Sequence, residues 1–253
     1  MRSGGSADAP RSDRRVVAGF RPARRIPLLS RQRASATICC LAGLPACGGP
    51  LSTLAPGGPA AAAIADLWWF MLAGAVAIFA GTMALFLMAF RAQARGPAST
   101  RLWIMGLGIA FPTTVLVSLL VYGLLVGERL QASAAPDVVE VEAMGRQWEW
   151  GFRQVQGDRR GAETVGVLHI PAGRPVDVLV RSEDVIHSFW VPMLAGKMDA
   201  IPGKTNRLRL LASRPGRYAG ACAEFCGIGH TGNRFFVVAH DPASWARLAQ
   251  GTS

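Results

Sequence analysis

Charge is scarce in this chain. Asp, Glu, Lys and Arg make up 17% of its 253 residues, against 51% apolar residues. That balance excludes a disordered or collagen-like polymer and leaves room for one globular domain plus further apolar segments. Acidic residues are the scarcer sign, 16 against 27 basic, for a formal charge of +11. Residues 1–60 hold nine basic and two acidic side chains, residues 61–127 three and one, and residues 128–253 fifteen and thirteen. A nucleic-acid surface needs its cations gathered on the folded domain. The near-neutral last block therefore argues against a nucleic-acid partner, and the basic N-terminus reads as a leader. There is no Cys-x-x-Cys-His, which excludes a covalently attached c-type haem on this chain. Internal repeats are absent, and residues 67–127 contain no Asp or Glu.

What is present begins with two long apolar runs. Residues 67–90 carry no charge, and Asp66 is the one charge in 61–90. At 1.5 Å rise per residue the run reaches roughly 36 Å, enough to cross a hydrocarbon core of about 30 Å. Residues 102–127 form a second uncharged run, and Trp68, Trp69 and Trp103 sit near the ends, where indole rings favour the interface. Gly106, Gly108 and Pro112 are tolerable in a span, where neighbours re-satisfy the backbone. The connection holds Arg91, Arg95 and Arg101 and no acid, which places it in the cytoplasm and both termini outside.

Ahead of the first span, Arg31 and Arg33 precede a modest apolar run, 34–46, ending Leu44-Pro45-Ala46-Cys47, the layout of a secretory signal. Its end resembles a bacterial lipoprotein box with Cys47 as the lipidated residue, although Pro45 fits that box poorly. Removal of the signal would take Cys39 and Cys40 with it. The expected organisation is a leader over 1–46, a linker over 47–60, a two-span hairpin over 61–127 and a β-domain over 128–253. In that last block, alternating segments at 138–144, 164–170, 176–180, 207–211 and 235–239 read as half-buried strands punctuated by Pro and Gly, a β-sandwich closed by a helix over 242–250.

Chemistry concentrates in Cys222-Ala-Glu-Phe-Cys226-Gly-Ile-Gly-His230, two thiols and an imidazole within nine positions. Such ligands suit copper, zinc or an iron–sulfur cluster. One distant partner is evident, His187, and two Cys with two His satisfy a tetrahedral zinc equally well by count. A Cys222–Cys226 disulfide is the plainer alternative in an oxidising compartment. Trp148 and Trp150, two apart, are expected on one face of a strand. Asp199 is expected in a loop, and His169 and His240 read as ordinary strand or turn residues.

The two-span hairpin, Gly145-Arg-Gln-Trp148-Glu-Trp150, His187-Ser-Phe-Trp-Val-Pro, Gly196-Lys-Met-Asp199-Ala-Ile-Pro-Gly203 and Cys222-x-Glu-x-Cys-x-x-x-His230 together resemble subunit II of haem-copper cytochrome c oxidases. The resemblance runs from about residue 50 to the end, in order. It implies a membrane-anchored, cupredoxin-like sandwich holding two copper ions (the dinuclear CuA centre). Cys222 and Cys226 would be bridges, His187 and His230 terminal ligands, and the Glu224 carbonyl a weak ligand. It also implies that the Glu224 side chain reaches magnesium or manganese at the contact with subunit I, and that Trp148 accepts electrons from cytochrome c. The setting implied is a bacterial inner membrane, with the N-terminus and the copper domain on the periplasmic face. Two departures stand out. Asn233 occupies the place of the family's axial Met, while Met193 and Met198 fall outside its ligand pattern. The carboxylate that many members carry before the second span is missing. Three functions follow as expectations: electron transfer into a respiratory terminal oxidase, a structural oxidase subunit with a degenerate copper site, and a subunit of a related nitric oxide reductase.

Overall fold

The structure, a computed structural model, describes residues 48–91, 99–130, 138–157 and 159–251. The expected signal, Cys39, Cys40, Cys47 and Arg95 lie outside the described residues. The two apolar runs form helices long and apolar enough to cross a membrane, α1 (Pro59–Arg91) and a second helix over Leu102–Leu130. The second opens as a π-helical stretch, Leu102–Ala110, and continues as α2 (Phe111–Leu130). The Phe111 N–H bonds to the Gly106 carbonyl, five residues back, and the next residue, Pro112, has no N–H to offer. The glycines and proline therefore reshape this helix without ending it. α1 is tied to the sandwich near its start: Gly57 N–H donates to Met193 O at 2.7 Å and Ala61 N–H to Leu194 O at 3.3 Å.

The remainder is a two-sheet sandwich. One sheet comprises β1 (Val139–Arg146), β2 (Glu149–Gln156), β3 (Arg159–Arg160), β4 (Thr164–Val165), β6 (Val176–Ser182) and β9 (Asn206–Leu210). Its order is β3-β2-β1-β6-β9, with β4 also on β2. The other comprises β5 (Val167–Pro171), β7 (His187–Trp190), β8 (Met198–Ala200), β10 (Gly216–Cys222) and β11 (Arg234–His240), in the order β5-β11-β10-β7-β8. β1 runs parallel to β6 and β5 parallel to β11, and the other pairs are antiparallel. The expected strand over 164–170 splits at Gly166, whose φ is +71°. β10 evaded the alternation test because Gly216, Ala219, Gly220 and Ala221 are small. Asp199 lies in β8, not in a loop: its partner is Ser188 on β7.

Alternation puts Val176, Val178 and Val180 of β6 wholly inside, facing Phe189, Phe235 and Leu168 of the other sheet. Trp150, Phe152, Phe189 and Phe235 form one aromatic cluster, with ring centroids 4.8 Å apart for Phe189–Phe235 and 5.6 Å for Trp150–Phe189. The outward face is charged. Asp177, buried on that face, accepts from Arg207 and Arg209 at 2.8 Å each, so the carboxylate is covered by its own counter-ions. The chain closes with α3 (Pro242–Gly251), capped by Asp241, which accepts from the Ala243 and Ser244 N–H groups at 3.0 Å.

Candidate metal centre

Two strand ends and one loop build the site. β10 lies antiparallel to β7, with Cys222 opposite Phe189, so the end of β10 arrives beside the start of β7 and brings Cys222 to His187. The chain then turns back on itself: Ala223 N–H donates to Ser188 O, His230 N–H to Gly227 O and Cys222 N–H to Asn233 O. That turn returns Cys226 and His230 to the same corner.

The resulting distances are short. Cys222 Sγ lies 3.8 Å from His187 Nδ1 and 3.8 Å from Cys226 Sγ, and Cys226 Sγ lies 3.6 Å from His230 Nδ1. The Glu224 carbonyl oxygen is 3.2 Å from Cys222 Sγ. Both thiols are free, so the disulfide alternative is not realised. Metal–sulfur bonds of about 2.3 Å and metal–imidazole bonds of about 2.0 Å let one ion touch two sulfurs up to about 4.6 Å apart, or a sulfur and a nitrogen up to about 4.3 Å apart. Every measured pair falls within those reaches. His187, Cys222 and Cys226 offer ligand atoms within 4.8 Å of one another, while His230 joins them through Cys226.

The surroundings prepare these ligands. Wholly buried His187 turns Nε2 to Asp184 Oδ1 at 2.7 Å. Donation from Nε2 leaves the Nδ1 lone pair free on the side of Cys222. Burial pushes the Asp184 carboxyl up, but donors from His187 and from the Val185 and Gln147 N–H groups outweigh it and hold the group below the ordinary carboxylate range. Burial, and then Cys222 beside it, push the Cys226 thiol above its ordinary value, with Asn233 opposing. Metal uptake at Cys226 therefore requires displacement of a proton.

Asn233 is 1% exposed. Its Nδ2 donates to Arg146 O at 3.4 Å and reaches Cys226 Sγ at 3.9 Å, while Oδ1 is buried without a partner. A buried acceptor with no donor costs about 1–3 kcal/mol unless a cation satisfies it. Glu224 directs its carboxylate elsewhere, to Lys197 Nζ at 3.1 Å, and Lys197 also reaches Asp199 at 3.4 Å.

Trp148 and Trp150 part company. Gln147 and Trp148 form the turn between β1 and β2, where Arg146 pairs Glu149, so Trp148 lies outside the strand and is 43% exposed, while Trp150 is buried in the core. The reading of the two as one strand face is thereby corrected: a two-residue hairpin turn breaks the alternation. Trp148 Nε1–H donates to Cys226 O at 3.3 Å and Gln147 Nε2–H to the same oxygen at 2.7 Å. A Cβ on Gly229 would stand 2.4 Å from the Trp148 ring, and Gly227 takes a φ of +118°. Glycine at both positions lets indole and metal loop meet. Sequence reasoning passed over Asp184 and Gln147, since neither has metal-ligand spacing and their contacts span 37 and 79 residues respectively for the Gln147–Asp184 and Gln147–Cys226 pairs.

The sequence model of cytochrome c oxidase subunit II, periplasmic domain, matches residues 154–239. An alternative cytochrome c oxidase subunit 2 from Bradyrhizobium diazoefficiens is 36% identical over 129 residues, 40% of this chain and 47% of that protein. Cytochrome c oxidase subunit 2 from Alkalihalophilus pseudofirmus is 33% identical over 146 residues, 55% of this chain and 42% of that protein. The chain thus spans about half the length of the curated relatives it matches. The crystal structure of the periplasmic domain of cytochrome oxidase subunit II from Bradyrhizobium japonicum aligns with a TM-score of 0.44 at 23% identity, over 48% of this chain and 96% of that one. Residues 154–239 thus resemble the periplasmic domain of cytochrome c oxidase subunit II, and the chain shares sequence with subunit 2 proteins over about half of their length.

Proposed function

We propose that this chain is the electron-accepting subunit of a respiratory haem-copper terminal oxidase, and that Cys222, Cys226, His187 and His230 hold two copper ions. The observation that carries this reading is the overlap of two nitrogen–sulfur pairs through one sulfur–sulfur contact: His187 with Cys222, Cys222 with Cys226, Cys226 with His230. A single tetrahedral zinc would draw all four ligands around one point, whereas His230 stands outside the mutual cluster of the other three. Cys222, Cys226, His187 and His230 would hold the copper, which when bound would supply one-electron relay between a soluble donor and the haem of subunit I.

The chain's own residues account for the rest. Asp184 orients His187, the Glu224 carbonyl stands beside Cys222 as a weak donor, and Asn233 offers a buried amide oxygen in place of a thioether. Trp148 is solvent-facing at one edge and hydrogen-bonded to the Cys226 carbonyl at the other, which suits a contact for cytochrome c or an equivalent donor. Phe225 and Ile228 extend an exposed apolar rim for that donor. The Glu224 carboxylate, paired with Lys197 here, would be this chain's group to hold a magnesium or manganese ion at the subunit I contact. The copper domain and the N-terminus lie on the periplasmic side of a bacterial inner membrane.

Copper quantification with electron spin resonance on the purified chain tests the reading. About two copper ions per chain and a mixed-valence signature support it. A folded chain that binds none is instead a structural subunit, the reading that Asn233 favours.

A further inference from the structure

We infer that His169 and His240 form a second, mononuclear metal site, which takes one borderline divalent cation of the Cu(II) or Zn(II) class. β5 and β11 are parallel neighbours with His169 opposite Val238, so His240, two residues on, shares its face of the sheet. His169 Nδ1 and His240 Nε2 face each other at 2.8 Å, with ring centroids 5.1 Å apart and planes inclined by 32°. Two imidazole nitrogens bound at right angles to one ion, with bonds of about 2.0–2.1 Å, stand about 2.9 Å apart. The nitrogen separation matches the bite of a chelate, a metal taking the place of the shared proton once both rings turn toward it, and imidazole nitrogens suit copper, nickel and zinc.

Without a metal the two nitrogens share one proton, since one must donate and the other accept. Burial, and then the neighbouring His240, lower the proton affinity of His169, so its lone pair is available at neutral pH. A half-open cavity of about 130 Å³ adjoins His169, bordered also by Gln154 and Thr164, which donate to the His169 and Val167 carbonyls. Arg153, which also borders it, is committed to Glu163, and Asp241, next to His240, is committed to the cap of α3. An ion here would staple β5 to β11 just ahead of α3. The site depends on nothing in the Cys–His centre: its ligands lie on other strands from Cys222, Cys226 and His187.

Titrating the full chain in detergent with Cu(II) and with Zn(II), after the Cys–His centre has been loaded with copper, tests the inference. The expected result is one further Cu(II) per chain with an isolated, nitrogen-ligated spin signal, and a rise in thermal midpoint with Zn(II). His169→Gln and His240→Gln should each abolish both while leaving the Cys–His spectrum unchanged. In the native chain the added signal should fade over the range below the ordinary imidazole value of about 6.5, because burial and the neighbouring His240 hold His169 below it. Absence of a further equivalent overturns the inference. So does an equivalent that survives both substitutions, or one indifferent to pH across that range.

Discussion

Replacing Asp184 tests whether the carboxylate behind His187 prepares the metal centre. Asp184 Oδ1 accepts from His187 Nε2–H at 2.7 Å, and Oδ2 accepts from the Gln147 N–H at 2.7 Å. Hydrogen bonds to a charged acceptor contribute about 1.5–3 kcal/mol each. Asp184→Ala removes both and frees a wholly buried imidazole to reorient or change tautomer. Loss of such an outer partner lowers metal affinity by about 10–100-fold, and the Ala variant belongs at the upper end because Gln147, which also holds the Cys226 carbonyl, loses its anchor too. Asp184→Asn keeps an acceptor of the same shape without the charge, so its loss should stay near the lower end. Competition against a copper chelator of known affinity, followed by the absorption of the bound copper, measures both variants. Affinities of both within about threefold of the native chain would refute the argument.

Other outcomes follow from the same geometry. Because the Cys226 thiol is held protonated by burial and by Cys222, copper affinity should fall by about tenfold per pH unit on acidification, the step for the proton that Cys226 must lose; a pH-independent chelator titration between neutral and mildly acid pH would contradict this. Gly229→Ala drives a methyl group into the Trp148 ring, so oxidation of a cytochrome c donor should slow several-fold while the copper spectrum holds, and stopped-flow kinetics would register it. Glu163 is drawn down to about 2, first by Arg146, with burial opposing and Arg153 assisting. Its contribution is full above the ordinary carboxylate range near 4.3 and is lost as pH falls from there toward about 2. Glu163→Gln should therefore cost about 1 kcal/mol at neutral pH and flatten the acid limb of a denaturation-versus-pH curve.

The membrane helices were legible because 67–90 and 102–127 are uncharged over lengths that a bilayer dictates, and no tertiary contact is needed to decide that. The candidate ligands were legible only as candidates: Cys222, Cys226 and His230 fall within nine positions, and the fold brings His187 beside Cys222. Strand content was partly legible: β6, with Val176, Val178 and Val180 in alternation, declared itself, but β10 is too rich in Gly and Ala to alternate. Trp148 and Trp150 were indistinguishable by spacing, and only the hairpin turn separated an exposed indole from a core one. Long-range closure decided what remained. Asp184 behind His187, Gln147 under Cys226, the unpartnered oxygen of Asn233 and the facing rings of His169 and His240 all depend on strands that meet across tens of residues. Residue type and spacing determine which atoms can bind a metal; only the register of the sheets determines which lone pairs point at one another.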